Sequence, residues 1–187
     1  MADIVNGLNL QMFLYLFNVC ADGSNPYAGV PAGVLYMHAA RSVMTVETKR
    51  SAEKDIAGQE DKAFGMNGIV ITNPDCDIPA AMEHDLVGKY IPVRLKKSGV
   101  SGSLASLEQL GLLQRKIEAL VADMGNALQN GQIGQHPVQA KDHDKTCEYC
   151  DFASVCAFKK SVTPRTYDDQ TDSAVLAELE KEGESHA

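Results

Sequence analysis

The sequence predicts a mixed α/β domain, because helical and strand-like segments alternate along its 187 residues. Three observations carry this prediction. An apolar helical segment opens the chain, short β-branched runs follow it, and a long amphipathic helix comes next. A cluster of cysteines lies after the long helix. We therefore expect a mixed sheet flanked by helices and followed by a cysteine-bearing loop.

The first predicted element is a helix over residues 4–20. It is apolar on nearly all sides from Leu8 onward, which is typical of a helix buried on most faces. Gln11 and Tyr15 interrupt the apolar run, and their four-residue spacing places them on one face. Residues 33–41 then predict a strand apolar enough to be central in a sheet.

The middle of the chain predicts a surface helix followed by two further strands. Residues 47–65 are charged with sparse apolar positions, which indicates a helix on the surface. Residues 68–72 predict a short strand, and residues 79–86 a helical turn. Residues 90–97 alternate in strand fashion, and the Gly/Ser-rich residues 98–103 predict a loop.

The long helix is predicted over residues 104–130, where apolar residues recur at intervals of three and four. They form one stripe: Leu110, Leu113, Ile117, Leu120, Val121, Met124 and Leu128. Asn130 and Gly131 end the helix, and the glycine suits a left-handed cap.

The net charge of −8 is concentrated at the end of the chain. Residues 166–187 hold seven acids and one base, so the rest of the chain is nearly neutral. We predict one domain over residues 1–160 and an acidic, disordered tail over residues 161–187. Within that tail, an apolar triplet is spaced as one short amphipathic turn: Val175, Leu176 and Leu179.

Composition also predicts the compartment. No apolar run reaches the roughly 18 residues of a membrane span. Asp3 stands where a signal peptide would carry basic residues. An odd count of five cysteines fits poorly with a disulfide framework. We expect a cytoplasmic protein with no membrane partner.

Three cysteines, Cys147, Cys150 and Cys156, form a C-x2-C-x5-C array. Thiols this close are more often metal or cluster ligands than disulfide partners in a reducing compartment. Zinc and iron–sulfur clusters normally take four ligands, so one ligand is missing from the array. Three interpretations stay open: an iron–sulfur cluster, a zinc site completed by His136 or His143, and inert buried thiols.

The residues also resemble a known family. Gly7–Tyr15 resembles the Q-x3-Y motif of RecB-type nuclease domains in the PD-(D/E)XK superfamily, and the strand at Pro31–Tyr36 follows in the same manner. Ile91–Gly99, the long helix, Asn130–Ile133 and the cysteine array come in the order seen in AddB proteins. These belong to the AddAB helicase–nucleases, which process broken DNA ends. The resemblance covers roughly residues 4–158.

The resemblance implies a partial PD-(D/E)XK core in which Gln11 and Tyr15 line the active-site wall or touch DNA. It implies that the three cysteines bind a 4Fe–4S cluster whose fourth ligand is a cysteine far upstream. The family's catalytic Asp and Asp-x-Lys precede the Q-x3-Y helix, whereas only Met1–Asn6 stand before it here. We therefore expect the C-terminal part of a Mg²⁺-dependent exonuclease subunit, inactive alone, whose partners are single-stranded DNA ends and an AddA-type subunit.

Other interpretations of the same residues remain open. Gln11 and Tyr15 are also compatible with ordinary buried residues bonded to neighbouring backbone. Cys20 and Cys76 are most simply core or loop cysteines, although either is a candidate substitute ligand. Arg94, Lys96 and Lys97 are candidate phosphate contacts, although a solvated strand end is the commoner explanation. As a whole, the chain is alternatively a non-catalytic zinc- or cluster-binding module that binds DNA or protein.

Overall fold

The structure is a computed structural model. It describes residues 1–37, 39, 63–132, 134, 136–140, 147, 150–156 and 164–185. These separate into two compact units. The sheet unit comprises Met12–Leu110, and the terminal unit comprises Met1–Gln11 together with Gly111–Ala187.

The helices of the described residues are α1 (Ala2–Val5), α2 (Gln11–Ala21), α3 (Ile78–Met82), α4 (Leu107–Gln129), α5 (Ala153–Cys156) and α6 (Asp172–Ser185). The strands are β1 (Gly33–Tyr36), β2 (Asn67–Thr72), β3 (Val93–Lys96), β4 (Gly99–Gly102), β5 (Leu104–Ser106), β6 (Val138–Ala140) and β7 (Arg165–Tyr167).

The sheet unit is built on a mixed three-stranded sheet in the order β1-β2-β5. β1 runs antiparallel to β2, with Gly33 opposite Val70, and β5 runs parallel to β2, with Leu104 opposite Val70. The central strand β2 is the most buried of the three, and both Val70 and Ile71 are fully buried. The predicted mixed α/β class is confirmed.

The core of the sheet unit lies where β2 meets the segment that leads into β3. Val70, Leu86, Ile91 and Val93 are buried in one cluster. Partly buried residues surround them: Leu35, Met66, Ile78, Ala80 and Leu104. The predicted helical turn at residues 79–86 is present as α3, which ends at Met82.

β3 and β4 form an antiparallel hairpin in which Lys96 pairs with Gly99. The predicted loop over residues 98–103 is therefore wrong, because glycine and serine here form the second strand. Gly102 has a φ of 145°, and an added Cβ would collide with the carbonyl oxygen of Pro92. The glycine is needed for close backbone approach, which its composition alone does not distinguish from a loop.

The predicted buried helix over residues 4–20 is wrong in two respects. α1 ends at Val5, and Gly7 and Asn9 adopt left-handed backbone with φ of 87° and 56°. Glycine and asparagine enter this conformation most readily, so they break the helix before α2 begins. In α2 only Phe13 is buried, whereas the apolar residues Met12 and Val19 are exposed.

α4 confirms the predicted long helix, with both ends set by local bonds. Ser106 and Gln109 form a reciprocal capping box: each backbone N–H donates to the other's side-chain oxygen, at 2.8 and 3.1 Å. Gly131 (φ 70°) and Gln132 donate to the last carbonyls and form a Schellman stop. The helix begins at Leu107 rather than at residue 104, because residues 104–106 pair with β2.

The apolar stripe of α4 is buried over only part of its length. Leu113 and Ile117 are fully buried, whereas Val121, Met124 and Leu128 are exposed. The periodicity predicted the stripe but not which part of it is covered.

The end of the chain differs from the predicted disordered tail. β7 pairs in parallel with β6, and α6 buries Val175, Leu176 and Leu179. The predicted amphipathic turn is thus part of a longer helix, and its apolar residues are buried. Acidic residues on the remaining faces account for the composition.

The predicted helix at residues 47–65 lies largely outside the described residues. Among the helices that the structure describes, none is long and apolar enough to cross a membrane.

Candidate functional sites

The Q-x3-Y pair lies on an exposed face of α2. Gln11 is exposed, and Tyr15 is 56% exposed. Their spacing of one helical turn places both side chains on the same face. On the covered face, Phe13 is buried and its ring centroid lies 6.1 Å from that of Phe17. The interpretation of Gln11 and Tyr15 as buried residues is therefore wrong, because both are exposed in the part of the chain that the structure describes.

The cysteine array lies on a turn followed by a short helix. The Cys150 N–H donates to the Cys147 carbonyl oxygen at 3.4 Å, so a tight turn joins the two residues. The Cys156 N–H donates to the Phe152 carbonyl oxygen at 2.8 Å, within the turn that includes α5. Cys150 is exposed and the other two cysteines are half-buried. None of the three thiols is therefore fully buried, contrary to the interpretation of the array as buried thiols.

The chemistry of the three cysteines suits a bound metal, whereas the spatial arrangement of the described side chains does not show a metal site. Three thiols within ten residues have the chemistry of a zinc or iron–sulfur site once deprotonated. Within the described ranges, however, no three His, Cys, Asp or Glu side chains are gathered so as to hold a metal ion. Of the candidate zinc ligands, His143 lies outside the described residues, and His136 lies inside them.

The other two cysteines are reduced thiols in separate places. Cys20 is half-buried in α2, and Cys76 is exposed in the turn before α3. All five cysteines lie in the described part of the chain, and none forms a disulfide.

A depression of about 370 Å³ opens beside Cys76. It is lined by Thr72, Asn73, Pro74, Asp75, Cys76, Asp77, Pro79 and Val100. Its polar groups serve the turn itself. The Asp77 carboxylate accepts from the Ala80 N–H at 3.1 Å as the cap of α3, and the Asn73 side chain accepts from the Asp75 N–H at 2.9 Å. These contacts account for Asp77 as the capping residue of α3 and for Asn73 as a turn residue.

Glu83 is a buried carboxylate that sequence reasoning did not single out. Its oxygens accept from the backbone N–H groups of Lys89, Tyr90 and Ile91 at 3.0, 3.0 and 3.1 Å. Burial alone would raise the pKa of Glu83, but these bonds and one from the Gly88 N–H hold it below the ordinary 4.5. A charged carboxylate thus fixes the loop that enters β3. A lone Glu between α3 and a Gly-Lys loop carries no sequence signal for this role.

The β3–β4 hairpin presents the cations noted in the sequence. Arg94, Lys96 and Lys97 are all exposed. The stem of Arg94 lies against the backbone of Gly88, where an added Cβ would collide with it. The hairpin is therefore an ordered, basic projection of the sheet unit.

Residues 2–157 match the sequence model of the PD-(D/E)XK nuclease superfamily, and the chain belongs to that superfamily. Among curated proteins, the chain is similar to AddB, the B subunit of the ATP-dependent helicase/deoxyribonuclease, of Bacillus thuringiensis (strain Al Hakam). The two are 30% identical over 97% of this chain and 16% of that protein. The protein of the same name from Oceanobacillus iheyensis is 30% identical over 100% of the chain and 17% of its own length. The chain thus spans about one sixth of these relatives.

Proposed function

We propose that this chain is the C-terminal nuclease portion of an AddB-type protein, the B subunit of an ATP-dependent helicase/deoxyribonuclease. That protein would act as an exonuclease on single-stranded DNA ends during double-strand-break repair, in the cytoplasm, with an AddA-type partner. The observation that carries the proposal is the superfamily match over residues 2–157, together with 30% identity to such proteins over nearly the whole chain. The exposed Q-x3-Y face on α2 supports it.

Within this proposal, α2 supplies a wall of the DNA-binding cleft. In a nuclease of this superfamily, Mg²⁺ held by carboxylates would supply activation of water and compensation of the charge on the scissile phosphate. Gln11 offers an amide donor and acceptor, and Tyr15 offers a hydroxyl beside an aromatic face. From an exposed helix face, these groups orient the DNA backbone. The 187 residues contain no Asp-x-Lys, so we expect the chain alone not to cleave DNA.

The test is an exonuclease assay that measures kcat/KM on end-labelled single-stranded DNA in the presence of Mg²⁺. The enzyme is the natural gene product that contains these residues. We expect Gln11→Ala and Tyr15→Phe each to lower kcat/KM about tenfold, as loss of one positioning contact does. Tyr27→Phe is the matched control, because Tyr27 is 81% exposed and outside the helix face. Equal values of kcat/KM for the Tyr15 and Tyr27 variants would mean that α2 does not line the DNA-binding cleft. Absence of any nuclease activity in the natural gene product would reject the proposed function.

We also propose that Cys147, Cys150 and Cys156 bind a 4Fe–4S cluster in the natural gene product. Their soft donor atoms, their spacing and the exposure of Cys150 support this assignment. The test is metal and sulfide analysis of anaerobically purified protein. Iron and sulfide should be lost in Cys150→Ser and retained in Cys76→Ser. Stoichiometric zinc without sulfide would instead favour a zinc site completed by His136 or His143. That result would also favour the alternative in which the chain is a non-catalytic zinc-binding module.

A further inference from the structure

The β3–β4 hairpin lies in a basic segment of a chain whose acidic excess is concentrated at its end. Residues 86–107 contain four cations and no Asp or Glu, whereas the chain as a whole carries −8. Three of these cations, Arg94, Lys96 and Lys97, are exposed. Such a local concentration of one sign creates a positive potential that the net charge conceals.

The register of the hairpin sorts its side chains by face. Arg94 and Lys96 share one face of β3, since alternate residues of a strand point the same way. Their cross-strand partners are Ser101 and Gly99, which are small and uncharged. The basic face is therefore flat, and nothing bulky on β4 stands between the cations and an approaching chain.

The opposite face is different in character. Leu95 and Val100 pair across the strands there and are 62% and 42% exposed. Val100 also lines the depression that contains Asp75 and Asp77. The carboxylates that line this depression are thus on the apolar side of the hairpin. In the described residues, no salt bridge engages Arg94, Lys96 or Lys97.

The base of the hairpin is held in place by buried bonds. The Glu83 carboxylate accepts from three successive N–H groups just before β3. The Leu95 N–H donates to the Leu86 carbonyl oxygen at 2.8 Å, and the Ser103 N–H donates to that of Pro92 at 3.0 Å. A fixed backbone lowers the entropy cost when the cations bind a ligand.

We propose that the Arg94–Lys96–Lys97 hairpin binds the phosphate backbone of single-stranded DNA. The inference rests on the proposed nuclease function and adds a named contact surface to it, on a different element from α2. Exposed cations on one face of β3, with Lys97 in the turn that follows it, suit the repeating charge of a phosphate chain, because neutralising phosphates releases counterions. Tyr90 is 44% exposed at the base of β3, with the Lys89 Nζ 5.2 Å from its ring centroid. It adds an aromatic surface of the kind that single-strand binders use for base stacking.

The test measures binding of a fluorescent oligothymidylate of about 20 nucleotides, longer than the roughly 4–16 that a small fold covers. Anisotropy titrations of the 187-residue chain are made across a salt series. We compare Lys96→Gln/Lys97→Gln with Arg115→Gln/Lys181→Gln, which changes the net charge equally on exposed positions of α4 and α6. Thermal unfolding checks that both double variants remain folded.

The hairpin variant should bind about tenfold more weakly at low salt. Its plot of log K against log salt should be shallower by about 1.4, since each lost phosphate contact on a single strand contributes about 0.7. The control pair should match the unsubstituted chain. Equal weakening in both variants would mean that net charge alone acts, and no binding by the unsubstituted chain would also overturn the inference.

Nuclease assays separate this inference from the proposed function. If the natural gene product cleaves single-stranded DNA and the hairpin variant keeps its KM, the hairpin inference fails while the nuclease proposal stands. If the hairpin binds DNA as expected but the natural gene product cleaves none, the nuclease proposal fails instead.

Discussion

The Tyr167 hydroxyl donates a hydrogen bond to the Asp3 carboxylate, joining residues 164 positions apart in the terminal unit. The second oxygen of Asp3 accepts from the Asn9 side chain at 3.0 Å. Nearby, the Arg165 guanidinium donates to the Asn6 carbonyl oxygen at 2.9 Å. These bonds fasten β7 to α1 and to the turn that follows it, so two sequence-distant segments stabilise each other.

The Tyr167 contact predicts an alkaline loss of stability. Burial, the hydrogen bond to Asp3 and the charges of Asp3 and Asp169 raise the pKa of Tyr167 to about 12, from the ordinary 10.0. Because the folded state holds the proton more tightly, this stability is complete below pH 10 and is lost as pH rises toward 12. Urea unfolding across this range should show the loss in the unsubstituted chain.

Tyr167→Phe should remove that alkaline dependence and lower the free energy of unfolding at neutral pH by about 1 kcal/mol, the usual scale for one hydrogen bond. Tyr27→Phe is the control, since its side chain is 81% exposed. If both variants keep the alkaline transition unchanged, Tyr167 is not its source.

Glu83→Gln should destabilise the chain by about 2 kcal/mol, because an amide offers one acceptor oxygen where several N–H groups converge. The pKa of Glu83 lies below its ordinary 4.5, so its contribution is present above that pH and is lost as pH falls below it. Chemical denaturation from neutral to acid pH measures both effects. Asp85→Asn, on an exposed neighbour, should stay within about 0.5 kcal/mol.

Two glycines should respond to alanine in opposite directions. Gly125 lies within α4 with nothing within 4 Å of an added Cβ, so Gly125→Ala should stabilise by about 0.5–1 kcal/mol. Gly102→Ala would place its Cβ against the Pro92 carbonyl at a φ of 145°, and should destabilise by at least about 1 kcal/mol. Thermal unfolding of both variants gives the comparison. A stable Gly102→Ala chain would contradict the hairpin packing.

Leu176→Ala tests the order at the end of the chain. Leu176 is buried in α6, so its truncation should cost about 2–4 kcal/mol. Leu128→Ala is the control, because Leu128 is 69% exposed and should change stability by less than about 0.5 kcal/mol. If Leu176→Ala is as mild as the control in denaturant unfolding, α6 does not pack as described.

The elements that sequence reasoning placed correctly depend on near neighbours. β2 was predicted from its own apolar run, and the stop of α4 from Gly131, whose left-handed backbone needs no distant contact. The errors came from long-range pairing. Residues 104–106 continue a helical pattern but pair with β2, and residues 99–102 look like a loop but pair with β3.

The candidate functional residues also divide into those that the sequence shows and those that only the fold shows. The Q-x3-Y spacing, the C-x2-C-x5-C array and the cations of the hairpin are all visible in the sequence. The role of Glu83 was not, because its three N–H partners lie six to eight residues away and meet it only through the loop entering β3.

The sequence by itself determined the superfamily, the order of the chemistry-bearing motifs and the local stops of the helices, since these depend on residues a few positions apart. Only the tertiary structure decided which face of α2 is exposed, which half of the α4 stripe is buried and that α6 is packed. Burial is a property of neighbours from distant parts of the chain, and a periodic pattern states that a face is apolar without stating what covers it.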